Sequence, residues 1–196
     1  MALLIEAVCV VIRRDAIKRK FFGGEGGFMQ MLPNGTLCAE ESLVRLSFMA
    51  PREAVAYIAL LENAGLRFVK DDKAFDIVIV DQTQGPTAPC DWLEFRRAQY
   101  KSPEGELGGV IASVCYKGLP GKPQAQGDEA AESDFLITPP NWQYAGSLSE
   151  KFVAVPQGDV TDRMQFLRSE GNLSYFLDTQ SGEEVAIYRA QLPNDD

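Results

Sequence analysis

Two continuously apolar stretches constrain the fold of this chain more than any other feature. Residues 3–13 are rich in Val, Ile and Leu and are interrupted mainly by Glu6, and residues 77–80 are entirely Val and Ile. A strand with one solvated face alternates apolar and polar residues, whereas a strand buried on both faces reads as a continuous apolar run. The chain must therefore cover both faces of the sheet that holds these strands.

A β-α-β-β-α-β order is predicted for the first part of the chain. The predicted elements are a strand over 3–13, two short helices separated by the glycine run 23–27, strands over 36–39 and 43–49, a helix over 51–64 and a strand over 75–80. Asp15 is the predicted N-cap of the first helix. Pro51 suits the first position of the longest helix, and Gly65 suits the left-handed position after its end.

The stretch over residues 43–49 differs from the two apolar runs because it alternates. Its apolar residues Val44, Leu46 and Phe48 are separated by Arg45 and Ser47. Alternation of this kind predicts a half-buried strand with the polar side chains on a solvated face.

The order of elements over residues 1–81 is similar to that of ferredoxin-like and ACT-type regulatory domains. The resemblance is topological. It implies that both helices cover one face of an antiparallel sheet, and such domains often bind small ligands or dimerise through sheet edges. We predict an α+β fold in which a ferredoxin-like region over 1–100 is followed by a β-rich region over 101–196. The second region would pack on the first sheet or continue it, within one domain or two.

The second half of the chain reads as short antiparallel strands that could cover the remaining face of the sheet. They are predicted over 92–96, 110–116, 152–155, 164–167, 173–177 and 185–188. Residues 118–133, rich in Gly, Pro, Gln, Ala and acidic residues, predict a surface loop or linker. The aromatic residues of this half either pack in a core or form a recognition surface. These are Trp142, Tyr144, Phe152, Phe166, Tyr175, Phe176 and Tyr188.

The net charge and the absence of histidine limit the functions that this chain can have. The net charge is −9 and the chain contains no histidine. An acidic protein is poorly suited to nucleic acid and to anionic membranes, because both require basic surfaces. Without histidine, the chain cannot by itself form a Ser-His-Asp triad or a His-based zinc site. We therefore predict no catalytic residues, cofactor or metal, and no nucleic-acid or membrane partner.

The four cysteines favour a reduced, cytoplasmic setting. Cys9, Cys38, Cys90 and Cys115 contain no CxxC pair, and two of them lie in apolar runs where a free cysteine acts as a small hydrophobe. The apolar start lacks a basic leader and is too short to span a bilayer, so we expect a buried strand there.

The loop after the second apolar strand is the first candidate ligand site. It runs from Gln82 to Trp92 and follows Asp81 at the end of the strand, where ligand crevices of open α/β sheets often lie. Cys90 beside Asp91 could act as a nucleophile, although a neighbouring carboxylate makes the thiolate scarcer. A structural loop is the alternative. The candidate ligand residues here are Asp81, Thr83, Thr87, Cys90, Asp91 and Trp92.

The glycine run and a basic cluster are the second candidate. The backbone N–H groups of Gly24, Gly26 and Gly27 could hold an anion, although no Lys-Ser or Lys-Thr follows them as a phosphate loop requires. Arg14 and Lys18 are helical neighbours that could hold a carboxylate, a phosphate or an acidic partner. A helix kink and a solvated helix face are the structural alternatives.

These observations favour a non-catalytic soluble interaction or regulatory protein. One version binds a basic protein partner through an acidic surface, or associates with itself, with electrostatic steering as the physical basis. Two alternatives stay open: a small-molecule sensor that uses the loop and the glycine run, and a histidine-free enzyme that uses carboxylates or Cys90.

Overall fold

The computed structural model describes residues 1–102, 107–118, 136–151, 164–170, 173–178 and 184–188. The helices are α1 (Arg14–Lys20), α2 (Gly24–Gln30), α3 (Pro51–Asn63) and α4 (Leu148–Lys151). The first eight strands are β1 (Ala2–Ile5), β2 (Val8–Arg13), β3 (Cys38–Ala39), β4 (Leu43–Phe48), β5 (Val69–Lys70), β6 (Lys73–Ala74), β7 (Ile77–Asp81) and β8 (Gly85–Pro86). The others are β9 (Leu93–Lys101), β10 (Leu107–Tyr116), β11 (Leu136–Ile137), β12 (Met164–Glu170), β13 (Leu173–Asp178) and β14 (Glu184–Tyr188). The predicted α+β class is confirmed.

A five-stranded sheet forms the centre of the described structure, with the strand order β3-β4-β2-β7-β8. Every neighbouring pair in this sheet is antiparallel. The central strand β2 sets Val8 opposite both Phe48 of β4 and Asp81 of β7. Residues at alternate positions of these three strands therefore point to the same face.

The three longer helices cover one face of this sheet. Val8, Val10 and Ile12 of β2 pack with buried residues of α1, α2 and α3 in one apolar cluster. The helix α3 confirms the prediction for 51–64: it begins at Pro51, and Gly65 follows its end with φ +105°. The Leu66 N–H then donates to the carbonyl of Leu61, as expected for a glycine-terminated helix.

A second sheet, in the order β11-β1-β10-β9, covers the other face. Its inner residues, including Leu3, Ile5 and Val114, pack against Val11 and Val78 of the central sheet. The predicted cover from the second half of the chain is thus present in β9, β10 and β11, but the N-terminal strand β1 completes it. The layers in order are helices, the five-stranded sheet and the four-stranded sheet.

The outer face of the second sheet carries an aromatic cluster. Tyr100 lies 5.1 Å from Tyr144 and 5.5 Å from Trp142, measured between ring centroids. Leu4 and Ile111 pack in the same cluster.

A further sheet has the order β12-β13-β14, which agrees with three strands predicted from the sequence. None of the helices in the described ranges is long and apolar enough to cross a membrane.

Three sequence predictions were wrong in detail. The apolar run over 3–13 is two strands in different sheets, because Ala7 adopts φ +53° and turns the chain between them. Asp15 is not an N-cap; Arg13 holds that position without a side-chain cap, and Asp15 lies in the first turn. The strand over 43–49 is buried on both faces, and Arg45 is fully buried, because the second sheet covers the predicted solvated face.

The two short helices are confirmed at 14–20 and 24–30, but only Gly23 of the glycine run separates them, because Gly24, Gly26 and Gly27 lie within α2. The strand predicted over 152–155 and nearly all of the loop predicted over 118–133 lie outside the described residues.

Candidate functional site

Asp81 anchors the beginning of the predicted ligand loop. Its Oδ1 atom accepts three hydrogen bonds, from the Thr83 N–H at 2.7 Å, the Thr83 hydroxyl at 2.7 Å and the Gln84 N–H at 2.9 Å. The side chain is fully buried. Its second oxygen, Oδ2, has no hydrogen-bond partner among the described residues. A buried carboxylate oxygen with no partner is unusual in folded proteins, because its desolvation is not compensated.

The remainder of this loop is held by structural contacts. The N–H and hydroxyl of Thr87 both donate to the Ile79 carbonyl, at 2.9 and 3.2 Å. The Trp92 indole donates to the Ala74 carbonyl at 3.2 Å, and its side chain is buried. Asp91 is exposed and forms an ion pair with Lys73 at 2.8 Å. Contacts between the loop and the residues before it therefore account for these three candidate residues.

Cys90 has a weakly ionised thiol. Burial raises the pKa of Cys90 to about 11, and the Asp91 carboxylate makes a smaller contribution in the same direction. Hydrogen bonds from the backbone of residues 92 and 93 oppose the shift without cancelling it. Near neutral pH the nucleophilic thiolate is therefore scarce, which counts against a role for Cys90 as a nucleophile.

Two backbone N–H groups of the glycine run donate hydrogen bonds to carbonyl groups of nearby residues. The N–H of Gly24 donates to the Phe21 carbonyl at 2.8 Å, and that of Gly27 donates to the Gly23 carbonyl at 3.0 Å. A Cβ on Gly27 would collide with the Phe22 carbonyl oxygen, whereas Gly26 faces open space. The tight turn before α2 therefore explains why glycine occupies positions 23 and 27.

The carboxylate that Arg14 and Lys18 hold belongs to Glu25 of the same chain and not to a ligand. The Arg14 Nε lies 2.6 Å from Glu25 Oε1, and the Lys18 Nζ lies 3.9 Å from the same atom. Hydrogen bonding from Arg14 is the main cause that lowers the pKa of the Glu25 carboxyl. The predicted anion site is thus occupied by a residue of the glycine-rich helix, and it joins α1 to α2.

A set of polar residues that the sequence analysis did not select lies near Asp81. The Gln82 side-chain oxygen accepts from the Ala7 N–H at 2.9 Å, where Ala7 has a positive φ. The Glu6 Oε1 atom accepts from the N–H and hydroxyl of Ser149, at 2.9 and 2.8 Å. These contacts fix the kink between β1 and β2 and attach α4 to it. The isolated acid Glu6 within an apolar run was the available sequence signal.

Tyr57 supplies a second buried oxygen without a partner in the described part of the chain. It lies on the buried face of α3, and its ring centroid is 5.6 Å from that of Phe48. Burial raises the pKa of the Tyr57 phenol well above its ordinary value, so the group stays protonated. No sequence pattern separates this tyrosine from an ordinary core aromatic.

We refer to this region as the Val8 end. It comprises the row Phe48–Val8–Asp81 across the central sheet, Tyr57 above Phe48, and the Glu6–Ser149 contact beside Val8. Val8 and Phe48 belong to the helix-facing core, and Asp81 follows the alternation of Ile77 and Ile79 on the same face. The described residues contain no group of three or more Cys, Asp or Glu placed to hold a metal.

Comparison of the chain with protein-family models, curated proteins and solved structures found no match. The Val8 end has one carboxylate oxygen and one phenol oxygen that lack hydrogen-bond partners among the described residues, and its core neighbours are apolar.

Arg45 is a second buried polar centre, between the two sheets. Its Nε donates to the Leu4 carbonyl at 2.6 Å, and its Nη1 donates to the Thr36 carbonyl at 3.2 Å and to the Ser47 hydroxyl at 2.7 Å. Its Nη2 has no partner among the described residues. The neighbouring thiols of Cys9 and Cys38 have raised pKa values because burial outweighs the attraction of Arg45. The contacts of Arg45 link strands of both sheets.

Proposed function

We propose that this chain is a non-catalytic interaction protein that binds a basic protein partner through its acidic C-terminal half. The observation that carries the proposal is the division of charge along the chain. Residues 1–102 hold thirteen acidic and thirteen basic side chains, whereas residues 103–196 hold fifteen acidic and six basic ones. The net charge of −9 therefore belongs wholly to the second half.

The contacts of the first half support this division. Seven ion pairs join described residues between positions 13 and 96. Lys20, for example, is 2.7 Å from the buried carboxylate of Asp76. These ion pairs involve seven of the thirteen cations of the first half: Arg13, Arg14, Lys18, Arg19, Lys20, Lys73 and Arg96. The excess of negative charge in the second half would attract a basic surface and accelerate its association.

Capture from cells of the source organism at low salt, followed by measurement of binding rates with the purified partner, tests this proposal. We expect a partner with a basic surface, and an association rate constant that falls by about tenfold or more from low to high salt. Recovery of no partner at low salt would contradict the proposal, and so would binding that is insensitive to salt.

A matched pair of variants locates the charge that matters. The triple variant Asp128→Asn, Glu129→Gln and Glu132→Gln removes three charges from the second half. The control, Glu53→Gln, Asp71→Asn and Asp72→Asn, removes three exposed charges from the first half. We expect slower association only for the first variant. Equal effects would assign the attraction to net charge alone and would contradict a binding surface in the second half.

We also propose that residues 8–81 form a ferredoxin-like unit. The strand order β3-β4-β2-β7, the antiparallel pairing of each neighbour, and the placement of α1, α2 and α3 on one face support this classification. Cross-strand contacts between Val8 and both Phe48 and Asp81, measured by NMR on the full chain, test it. A different partner for β2 would contradict it.

A further inference from the structure

The solvent-facing side of α3 is apolar along its middle. Val55, Ala56, Ala59 and Leu60 are all exposed, Val55 at 42% and Leu60 at 51%. They lie on the side of the helix opposite the buried residues that pack on the central sheet. The outer face of a helix that packs on a core is ordinarily charged or polar. We refer to these four residues as the outer stripe, and its composition calls for a cause.

Exposed apolar residues also lie beside both ends of α3. Met49 comes two residues before the helix and is 59% exposed. Phe22 is 86% exposed, and its N–H donates to the carbonyl of Ala64, just after the helix, at 2.9 Å. Large apolar side chains scattered singly over a surface need no explanation, whereas their concentration on one element is typical of a protein–protein contact. The outer stripe and its two ends therefore form a candidate interface.

Opposite charges stand at the two ends of the outer stripe. Arg52 lies in the first turn of α3 and Glu62 in the last, and both residues are exposed. None of the ion pairs found among the described residues includes either of them. The Glu62 Oε1 atom accepts a hydrogen bond from the Phe68 N–H at 3.1 Å, which holds the carboxylate at this end of the helix. The stripe therefore begins beside a cation and ends beside an anion.

Helix geometry shows which pairing of two copies matches these charges. In an antiparallel pair centred between Ala56 and Ala59, each Arg52 lies within about 2 Å, measured along the axis, of Glu62 from the other copy, because each residue rises about 1.5 Å. Glu53 and Glu62 are nine residues apart, so at about 100° per residue they lie on opposite flanks of α3. A twofold pair therefore keeps these like charges apart. A parallel pair would instead set Arg52 against Arg52.

Side-chain size matches in the same arrangement. The two small residues Ala56 and Ala59 lie at its centre and allow the helices to approach closely. The larger Val55 and Leu60 flank them, and each then faces one of these alanines in the other copy. The exposed methionine before α3 also comes level with Phe22 of the other copy, and contacts between a thioether and an aromatic ring are favourable. The stripe is thus complementary to itself in size as well as in charge.

We propose that α3 is the interface of a homodimer, in which two copies pack their outer stripes antiparallel and form an Arg52–Glu62 ion pair at each end. This interface is independent of the proposed binding of a basic partner through the second half. The helix lies in the half of the chain that holds thirteen acidic and thirteen basic side chains, so this half adds no net repulsion between the copies. A helix of this length spans about 20 Å, which gives a small interface. We therefore expect a dissociation constant on the order of 10 µM.

Analytical ultracentrifugation of the full chain tests the proposal. Sedimentation is measured from about 1 µM to about 500 µM, a range that brackets the expected dissociation constant. We expect the mass of a monomer at the lowest concentration and that of a dimer at the highest, with reversible exchange between them. A monomer at every concentration would overturn the proposal, and so would assembly that continues beyond a dimer, because a twofold interface is closed.

A matched pair of variants locates the interface. Ala59→Glu places a charge at the centre of the outer stripe, on an exposed helix position where glutamate is well tolerated. We expect it to weaken dimerisation by about tenfold or more, because the charge would be buried between the copies. Gln99→Glu adds the same charge at an exposed position of β9, in the sheet on the other side of the central sheet, and should dimerise like the native chain. Equal weakening by both variants would assign the effect to net charge and would overturn the proposal.

A charge exchange tests the antiparallel arrangement. Arg52→Glu alone and Glu62→Arg alone each set like charges against each other, and we expect about threefold to tenfold weaker dimerisation. The double variant restores opposite charges and should recover most of the native affinity. No recovery in a folded double variant would overturn the antiparallel pairing. Glu62→Arg also removes the acceptor of the Phe68 N–H, so thermal unfolding of each variant is measured. If it fails to fold, unchanged dimerisation of Ala59→Glu suffices to reject the interface.

Discussion

At the scale of single residues, Arg45 connects the two sheets of this protein. Its Nε donates to the Leu4 carbonyl in β1, while its own strand β4 lies in the central sheet. A cation buried without a carboxylate in contact is costly unless hydrogen bonds compensate it. Here the compensation comes from two backbone carbonyls and one hydroxyl. These acceptors depend in turn on Arg45, because the space between the sheets is apolar.

Substitution of this arginine should therefore destabilise the fold. Arg45→Met keeps much of the side-chain volume but leaves the carbonyls of Leu4 and Thr36 without these donors. We expect the free energy of unfolding to fall by about 2 kcal/mol or more, measured by urea denaturation. Arg52→Met, at an exposed position of α3, should change stability by about 0.5 kcal/mol or less. Similar values for the two variants would contradict a structural role for Arg45.

At the scale of elements, the helices are fixed to one another by backbone contacts at their ends. The N–H of Phe22, just after α1, donates to the Ala64 carbonyl at the end of α3. Gly65 lies so close to α1 that a Cβ there would be 2.5 Å from the Lys20 carbonyl oxygen. Its φ of +105° is also unfavourable for any other residue. This glycine therefore serves both the end of α3 and its approach to α1.

A pair of glycine substitutions separates these effects from helix propensity. Gly65→Ala should lower the free energy of unfolding by about 1–3 kcal/mol, because it adds a steric collision to an unfavourable φ. Gly26→Ala, within α2, meets no atom within 4 Å and should raise stability by up to about 1 kcal/mol. Thermal and urea unfolding measure both changes. A stabilising effect of Gly65→Ala would mean that α1 and α3 are not in this contact.

At the scale of the whole molecule, the two halves of the chain share one sheet. Strand β10 lies between β1 and β9, and it is paired with both. The inner residues of β1 pack on the central sheet. A division of the chain near residue 100 would therefore fall at the end of β9 and would separate β1 from the strand that pairs with it.

Truncation tests this sharing. A fragment of residues 1–102 leaves β1 and β9 without β10 and exposes apolar inner residues such as Leu3. We expect it to aggregate or to lack a cooperative unfolding transition, because unpaired strand edges and exposed apolar surface promote association. A fragment of residues 1–151, which retains β10, β11 and α4, should unfold cooperatively. A monomeric, cooperatively folded 1–102 fragment would instead support the predicted boundary near residue 100.

The local features of this protein follow from its sequence alone. Apolar runs identified the doubly buried strands, and the proline and glycine that flank α3 set its limits, because these signals act through the backbone of adjacent residues. Tertiary structure decided the environment of each polar residue. Arg45 was expected in solvent and is buried, since a distant strand covers it. Asp81 and Tyr57 are buried by strand pairing and helix packing, and no local pattern in the sequence encodes that burial.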